Sequence, residues 1–557
     1  MRGERQGPVS EGDRNGKAAR QRMPDCAVGA PETVPHAFVA RFVCSARLAA
    51  VVALSAVSAL MLAAPAFAAR QRDFPASFQW GTAIAGFQSE YGQGKNLDTG
   101  SDWWLWSHDA DNVANDIVSG DLPENGPGFL DRHRTDIKLA SQKLGLNAFR
   151  MSIEWSRVFP RSTEGVKGLR ALDKVANRGA IRRYRGILRK VRRAGMTPWV
   201  TINHYSLPSW MHDPIAARNA LNGHPVNDEP PVFDRAGWLS RTTVGEFRKY
   251  AEYLAWKLGD EVDRWITLNE PMVVAVNGYV NIPALAQGNF PPGAWTYPGV
   301  VDVIVNMADA NAAAYKAVKR RDRGSRVGFV HNMVAFTPAD PSNELDRQGS
   351  EHAEYVFDRL FMNAAIRGVR DVDVDGVVDP GERRRKSANS ADFVGLNYYF
   401  RGRVTGLAGP LSPGIPLFDF FPSTVYESPS NPGGAPCPST CTEFGWEIYP
   451  QGFRHVLGIA GSYGLPVIVT ENGISDSNDD QRAAYLTSHL RAMRQAMRKD
   501  DVDVRGYFHW SLVDNFEWAE GYRQRFGLFS YDPASLKRTM RPSARLYAKV
   551  ARSGRVP

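Results

Sequence analysis

Short apolar runs alternate with longer amphipathic stretches along most of this chain. The apolar runs cover residues 78–88, 148–155, 197–205, 264–270, 326–333, 391–399, 466–471 and 504–512. Several are continuous rather than alternating, as expected of strands buried on both faces of a parallel sheet. Between them, residues 130–144, 180–194, 244–258, 301–321, 351–366, 452–462 and 481–498 repeat apolar positions at helical spacing. Eight such alternations with no linker between them predict an α/β fold, a single (β/α)8 barrel with long loops at the C-terminal face of its strands.

The polar residues at the ends of these runs change the picture from fold to chemistry. The run Pro466-Val467-Ile468-Val469-Thr470 delivers Glu471 where the strand leaves the core, and turn residues Asn472-Gly473 follow. Trp265-Ile266-Thr267-Leu268-Asn269 delivers Glu270 in the same way, and Pro271 stops the ladder. A carboxylate is costly to bury without partners, so no packing reason puts one there. Other runs end in Gln88, in Asn203 and His204, and in Asn397, Tyr398 and Tyr399; Asp514, Asn515, Glu517 and Trp518 follow the last. In a barrel these ends converge on one mouth, where barrel enzymes hold their active sites; scattered loop polarity is the plainer alternative. Two carboxylates amid Asn, Gln, His and Trp point to glycoside hydrolysis, which needs one acid and one carboxylate about the scissile bond.

Composition narrows the field further. The chain is 557 residues long, 43% hydrophobic and 23% charged, with a net charge of +9. The basic charge lies on amphipathic helix faces such as 180–194 and forms no stripe with interleaved aromatics, which argues against a nucleic-acid partner. Fourteen Trp residues exceed what a core requires and suit the apolar faces of sugars. Residues 1–69 stand outside the barrel pattern (70–557). An uncharged run at 48–69 follows Arg41 and Arg47 and ends in Ala66-Phe67-Ala68, which reads as a secretory signal peptide. The expectation is a secreted or periplasmic protein with no stable membrane association after cleavage. A retained membrane anchor or a chance apolar segment are the other readings of that run. Cleavage would remove Cys26 and Cys44 and leave Cys437 and Cys441, a local disulfide or two free thiols.

At this point the motifs carry a resemblance. Thr267-Leu268-Asn269-Glu270-Pro271 and Val469-Thr470-Glu471-Asn472-Gly473 resemble the two signature motifs of the family 1 glycoside hydrolases, the β-glucosidase family. Phe78-Gln79-Trp80-Gly81, the run from Phe149 to Arg157, Asn203-His204-Tyr205, Gly445-Trp446-Glu447 and Trp510-Ser511-Leu512 agree, in family order. The resemblance implies a retaining exo-β-glycosidase, most readily a β-glucosidase, acting on small β-glycosides or short oligosaccharides without a catalytic cofactor. It implies Glu471 as nucleophile and Glu270 as acid/base, with Arg150, Asn397 and Tyr399 supporting them. Gln88, His204, Asn269, Trp510, Glu517, Trp518 and Phe526 would hold the nonreducing sugar, and Trp446 the leaving group. Glu517 would repel a phosphorylated sugar. Tyr205 and Ser206 stand where the family usually has Trp and Asp, so altered packing around His204 is expected. The alternatives are a transglycosylase on the same site or a catalytically silent sugar-binding barrel.

Two features lie outside the resemblance. Residues 371–382 match the spacing of an EF-hand loop. Asp371, Asp373, Asp375, Asp379 and Glu382 offer side chains, Val377 its carbonyl, and Gly376 the sharp turn. A structural Ca2+ is expected there; a solvated acidic turn beside Arg383-Arg384-Arg385 is the bland reading. The long stretch 410–440, rich in Pro, Gly and Ser, is expected to form a lid on the leaving-group side, closed by Cys437 and Cys441.

Overall fold

The computed structural model describes residues 72–281, 288–409 and 419–557. The leader, Cys26, Cys44 and the start of the 410–440 stretch fall outside these residues. Residues 72–557 form one compact unit.

Eight parallel strands close a barrel: β1 (Gln79–Ala83), β2 (Ala148–Ser152), β3 (Thr197–Asn203), β4 (Arg264–Asn269), β5 (Arg326–Asn332), β6 (Val394–Asn397), β7 (Val467–Asn472) and β8 (Val504–Trp510). Each pairs with its neighbours in sequence, and β8 pairs with β1. Every apolar run therefore became a barrel strand. Their buried side chains explain why: Ala148, Trp199, Ile266, Val330, Phe393, Ile468 and Phe508, drawn from seven of the eight strand segments, form one cluster. β1 contributes Gly81, where a Cβ would lie 2.3 Å from the Phe508 ring. The barrel interior is thus filled by side chains.

The helices follow from their periodicity. Arg178–Arg193 buries Ile181, Tyr184, Ile187, Leu188 and Val191 on one stripe and turns its arginines outward. The Asn177 side chain caps it by accepting from the Ala180 amide at 3.1 Å. Among the described residues no helix is long and apolar enough to cross a membrane.

Three local expectations are corrected. The first run does not remain strand to Gln88: β1 ends at Ala83, and a single helical turn, Gly86–Ser89, carries Gln88. A Cβ at Gly86 would lie 2.3 Å from Glu154 Oε1, so glycine lets the chain bend here against the second strand segment. The helix expected over 351–366 begins earlier, at Glu344, and continues past Glu354 as wider helical turns to Arg367. The 410–440 stretch is not structureless where described. Phe420–Ser423 pairs antiparallel with Arg401–Gly406, which also pairs with Ala335–Pro338, making a small sheet beside the mouth. Cys437 and Cys441 are bonded to each other, with Cα atoms 6.1 Å apart.

Candidate active site

Alternation along a strand would send neighbouring side chains to opposite faces. At the two strands that deliver glutamates the register breaks. The β4–β5 ladder shifts between Ile266 and Asn269, and the β7 ladders shift between Val469 and Asn472. Such irregularities re-aim side chains at barrel rims. Here they turn Asn269 and Glu471 into the mouth. Glu270 then takes a left-handed backbone (φ 49°) and caps the helix Pro271–Tyr279, whose first residue is the proline that stopped the strand. A non-glycine residue in that region is uncommon and marks a position held by its surroundings.

After Glu471 the chain is anchored rather than merely turned. The Asn472 amide donates to the Tyr398 carbonyl at 2.6 Å, and its oxygen accepts from the Tyr507 hydroxyl at 3.0 Å. At Gly473 a Cβ would stand 2.0 Å from the Trp510 carbonyl oxygen. Only glycine fits there.

The two glutamates sit in unlike settings. Glu471 Oε1 accepts from Arg150 Nη1 at 2.5 Å, and its Oε2 accepts from the Tyr399 hydroxyl at 2.6 Å. Arg150 is 1% exposed and uses its other nitrogens on Asn269 Oδ1 (2.5 Å) and Thr201 Oγ1 (3.2 Å). Among the described residues, Glu270 has no cation in contact. Its Oε1 accepts from Asn397 Nδ2 at 2.5 Å, and its Oε2 accepts from the Tyr205 hydroxyl. Burial first, and the Glu471 charge second, push Glu270 up to about 7, against the two hydrogen bonds and Arg150. The pair therefore supplies one carboxylate bonded to a buried guanidinium and one acid that keeps its proton close to neutral pH.

The expected sugar-binding residues surround this pair. Asn269 keeps its Nδ2 near His204 Nε2, at 3.5 Å. Burial and the Arg150 cation lower His204 well below its ordinary value, so the ring is neutral. The His204 ring is nearly parallel to the rings of Trp510 and Trp518, with centroids 6.0 and 5.9 Å away. Gln88 donates to Glu517 Oε2 at 3.2 Å. Burial, then the Glu471 and Glu270 charges, push Glu517 up to about 8. Trp446 stacks on Phe444 at 4.0 Å and packs near Phe400, Tyr399 and Phe526. Of the expected substrate-binding residues, Trp446, Glu517, Trp518 and Phe526 line one cavity of about 250 Å3, bordered on its inner side by Glu270, Tyr205 and Tyr399; Gln88, His204, Asn269 and Trp510 do not line it. Its outer side is walled by Met272, Val276, Phe336, Phe357, Phe400 and Phe444. The 410–440 stretch contributes Pro422, Thr424 and Val425 to that wall.

Several contributors were not visible as such in the sequence. Tyr205 does more than alter packing around His204; it reaches Glu270. Thr470 Oγ1 donates to Asn397 Oδ1 at 2.7 Å and so orients that amide. Of the residues expected to hold calcium, Asp371, Asp373 and Asp375 bring carboxylate oxygens within 4.8 Å of one another. Asp379 and Glu382 stand outside that cluster. Glu382 instead accepts the backbone amides of Val372 and Asp379, both at 2.9 Å. The Val377 amide donates to Asp375 at 2.7 Å.

A closed parallel barrel with an unequal carboxylate pair and stacked aromatics at its C-terminal mouth is the frame of a sugar-cleaving enzyme, a glycoside hydrolase. Comparison with known proteins carries this to the family. Residues 70–218 and 228–555 match the model of glycosyl hydrolase family 1. A β-galactosidase of Pyrococcus woesei is 38% identical over 84% of this chain and 94% of its own length. β-Glucosidase A of Thermotoga maritima is 30% identical over 86% of this chain and 98% of its own. The crystal structure of the β-glycosidase from Thermosphaera aggregans superposes with a TM-score of 0.75 at 34% identity, covering 87% of this chain and 98% of that one. The chain belongs to glycosyl hydrolase family 1.

Proposed function

We propose that this enzyme removes terminal, nonreducing β-D-glycosyl residues by double displacement, with glucose the preferred sugar and some action on galactosides and fucosides. The observation that carries the reading is the unequal pair: Glu471 bonded to a buried arginine, Glu270 bonded only to neutral donors. In the first step a Glu471 oxygen attacks the anomeric carbon as the glycosidic bond breaks. Glu270 gives its proton to the departing oxygen. In the second, Glu270 takes a proton from water while the water oxygen attacks the anomeric carbon and the ester to Glu471 breaks. Asn269 Nδ2 sits 3.5 Å from His204 Nε2 and has a second N–H to donate to the sugar 2-hydroxyl, where such bonds strengthen in the transition state. Both carboxylates are present, so a silent sugar-binding barrel has no support; transglycosylation is the same chemistry with an alcohol in place of water. Glu270→Ala tests the assignment. It should lose about 10²–10⁴-fold on poor leaving groups, keep fast glycosylation with dinitrophenyl glycosides, and yield β-glycosyl azide when azide is added. Equal loss on all leaving groups would refute it.

The Glu517 carboxylate beside Gln88 favours an unphosphorylated sugar. The apolar outer wall, with Trp446 as platform, favours aryl or alkyl leaving groups over a second sugar. A panel of nitrophenyl and alkyl glycosides against cello-oligosaccharides reads this directly: higher kcat/KM on cellobiose than on the aryl glucosides would overturn it. Export through cleavage of the leader is supported by the Ala66-Phe67-Ala68 pattern and by the Cys437–Cys441 bond, which persists in oxidising compartments. N-terminal sequencing of the mature protein should begin just after Ala68; an intact leader would refute it. The oxygen cluster of Asp371, Asp373 and Asp375 supports a structural calcium ion. Calorimetry on chelator-treated protein should give heat on calcium addition and a raised melting temperature, and neither would appear at a plain acidic turn.

A further inference from the structure

Glu270 can carry its proton on either oxygen, and the choice decides which oxygen faces the leaving group as an acid. The surroundings make that choice. Asn397 has its amide oriented by Thr470, whose hydroxyl donates to Asn397 Oδ1 at 2.7 Å. Its Nδ2 therefore points at Glu270 Oε1, 2.5 Å away. An amide nitrogen only donates. While that bond stands, Oε1 accepts and cannot carry a proton toward Asn397. The other oxygen, Oε2, meets the Tyr205 hydroxyl. A hydroxyl both donates and accepts.

We infer that Tyr205 is the positioning residue for the acid/base proton: its hydroxyl keeps that proton on Glu270 Oε2 by accepting from the acid, and turns to donate to the carboxylate once the proton has left. This rests on the reading of Glu270 as acid/base. In the first step the proton leaves Oε2 for the glycosidic oxygen, and the Tyr205 O–H rotates to the newly charged oxygen. In the second step Oε2 takes a proton from water and the hydroxyl turns back. No proton is gained or lost by the tyrosine.

Tyr205 is built to stay in place. It follows β3 with a left-handed backbone (φ 67°), which swings the ring from its own strand toward Glu270. Its ring stands edge-on to Trp518 at 4.8 Å, to His204 at 5.0 Å and to Phe290 at 5.3 Å. Burial, and after it the charges of Glu270 and Glu471, hold its phenol well above the ordinary value, so it remains a neutral partner at working pH. The charged and titratable groups facing the Glu270–Tyr205 pair are Arg150 from β2, neutral His204 after β3, Tyr399 after β6, Glu471 from β7 and Glu517 after β8. None of these groups bonds Glu270 among the described residues; Tyr205 and the Asn397 amide do. A phenylalanine there would fill nearly the same space and remove one donor from the charged form, which is the form that gains most from it.

Tyr205→Phe is the test, read by the pH profile of kcat/KM on 4-nitrophenyl β-glucoside and by thermal melting. The alkaline limb should move up by about one pH unit with the acid limb and melting temperature held. An alkaline limb within about 0.2 units of the parent, with activity retained, would reduce Tyr205 to packing and overturn the inference. Should that variant be inactive, 3-fluorotyrosine incorporated at position 205 keeps the shape and strengthens the donor. The alkaline limb should then move down, and an unmoved limb overturns the inference equally. If Glu270→Ala loses nothing on poor leaving groups, the acid/base reading has failed instead.

Discussion

Replacing Glu471 with Gln should lower the protonation midpoint of Glu270 while leaving the carboxyl of Glu270 in place. Glu270 stands at about 7 because burial disfavours its charge and the Glu471 carboxylate repels it; Tyr205, Asn397 and Arg150 act the other way. Double displacement requires carboxyl groups about 5 Å apart. At that separation and an effective dielectric of about 20, one unit charge repels another by about 3 kcal/mol, or about two pH units as an upper bound. Glu471→Gln also frees Arg150, which donates to Glu471 at 2.5 Å and would then act on Glu270 undivided. The midpoint should fall from about 7 to between about 5 and 6. Carbon-13 NMR of the glutamate side-chain carboxyls, with the signal assigned by loss in Glu270→Gln, measures it in parent and variant. A midpoint unchanged within about 0.3 units would mean that the two carboxylates do not sense each other, and the reasoning would fall.

Other consequences follow from neighbouring residues. Glu154 is buried, accepts from Ser206 at 2.6 Å and Ser152 at 3.1 Å, and is pushed up to about 8 by burial and then by Glu90. A carboxyl raised on folding binds a proton that the unfolded chain releases near its ordinary value. Its contribution is present in full below about 4.5 and is lost as pH rises through about 8. Glu154→Gln should therefore flatten the decline of melting temperature between pH 5 and 9, by an amount on the order of 4 kcal/mol at the alkaline end; parallel curves would refute this. Gly473→Ala places a methyl 2.0 Å from the Trp510 carbonyl, so melting should report about 1–3 kcal/mol of destabilisation and activity should fall with it; a neutral outcome would contradict the packing described. The Cys437–Cys441 loop is short, so its closure stabilises by at most about 2 kcal/mol, and the double Ser variant should lose only a few degrees in melting temperature; collapse of the fold would contradict that.

The barrel was legible because continuous apolar runs have few other uses in a chain of this pattern, and all eight became strands. The glutamates were legible for the same reason: Val469-Thr470-Glu471 and Leu268-Asn269-Glu270 each place a costly carboxylate at the end of a buried run. What a linear pattern cannot carry is aim. The register breaks in β4 and β7, and the left-handed turns at Tyr205 and Glu270, decide which side chains face the cavity, and they depend on neighbouring strands. Tyr205 therefore read as a substitution beside His204, although its hydroxyl reaches Glu270. Gln88 read as a strand end because its helical turn comes from contact between Gly86 and Glu154. The apolar outer wall was invisible because Met272, Phe336, Phe357, Phe400 and Phe444 come from separate segments. In the acidic loop the spacing was readable, but Glu382 bonds backbone amides of its own loop rather than joining the three aspartates.

The covalent role of Glu471 is the claim on which the rest depends, and one measurement addresses it directly. Incubation with a 2-deoxy-2-fluoro-β-glucosyl fluoride, whose good leaving group allows the first step while the fluorine slows the second, should trap the glycosyl–enzyme. Mass spectrometry of its peptides should find one sugar, on Glu471. A sugar on Glu270 or Glu517, or continued turnover with no adduct, would contradict the account.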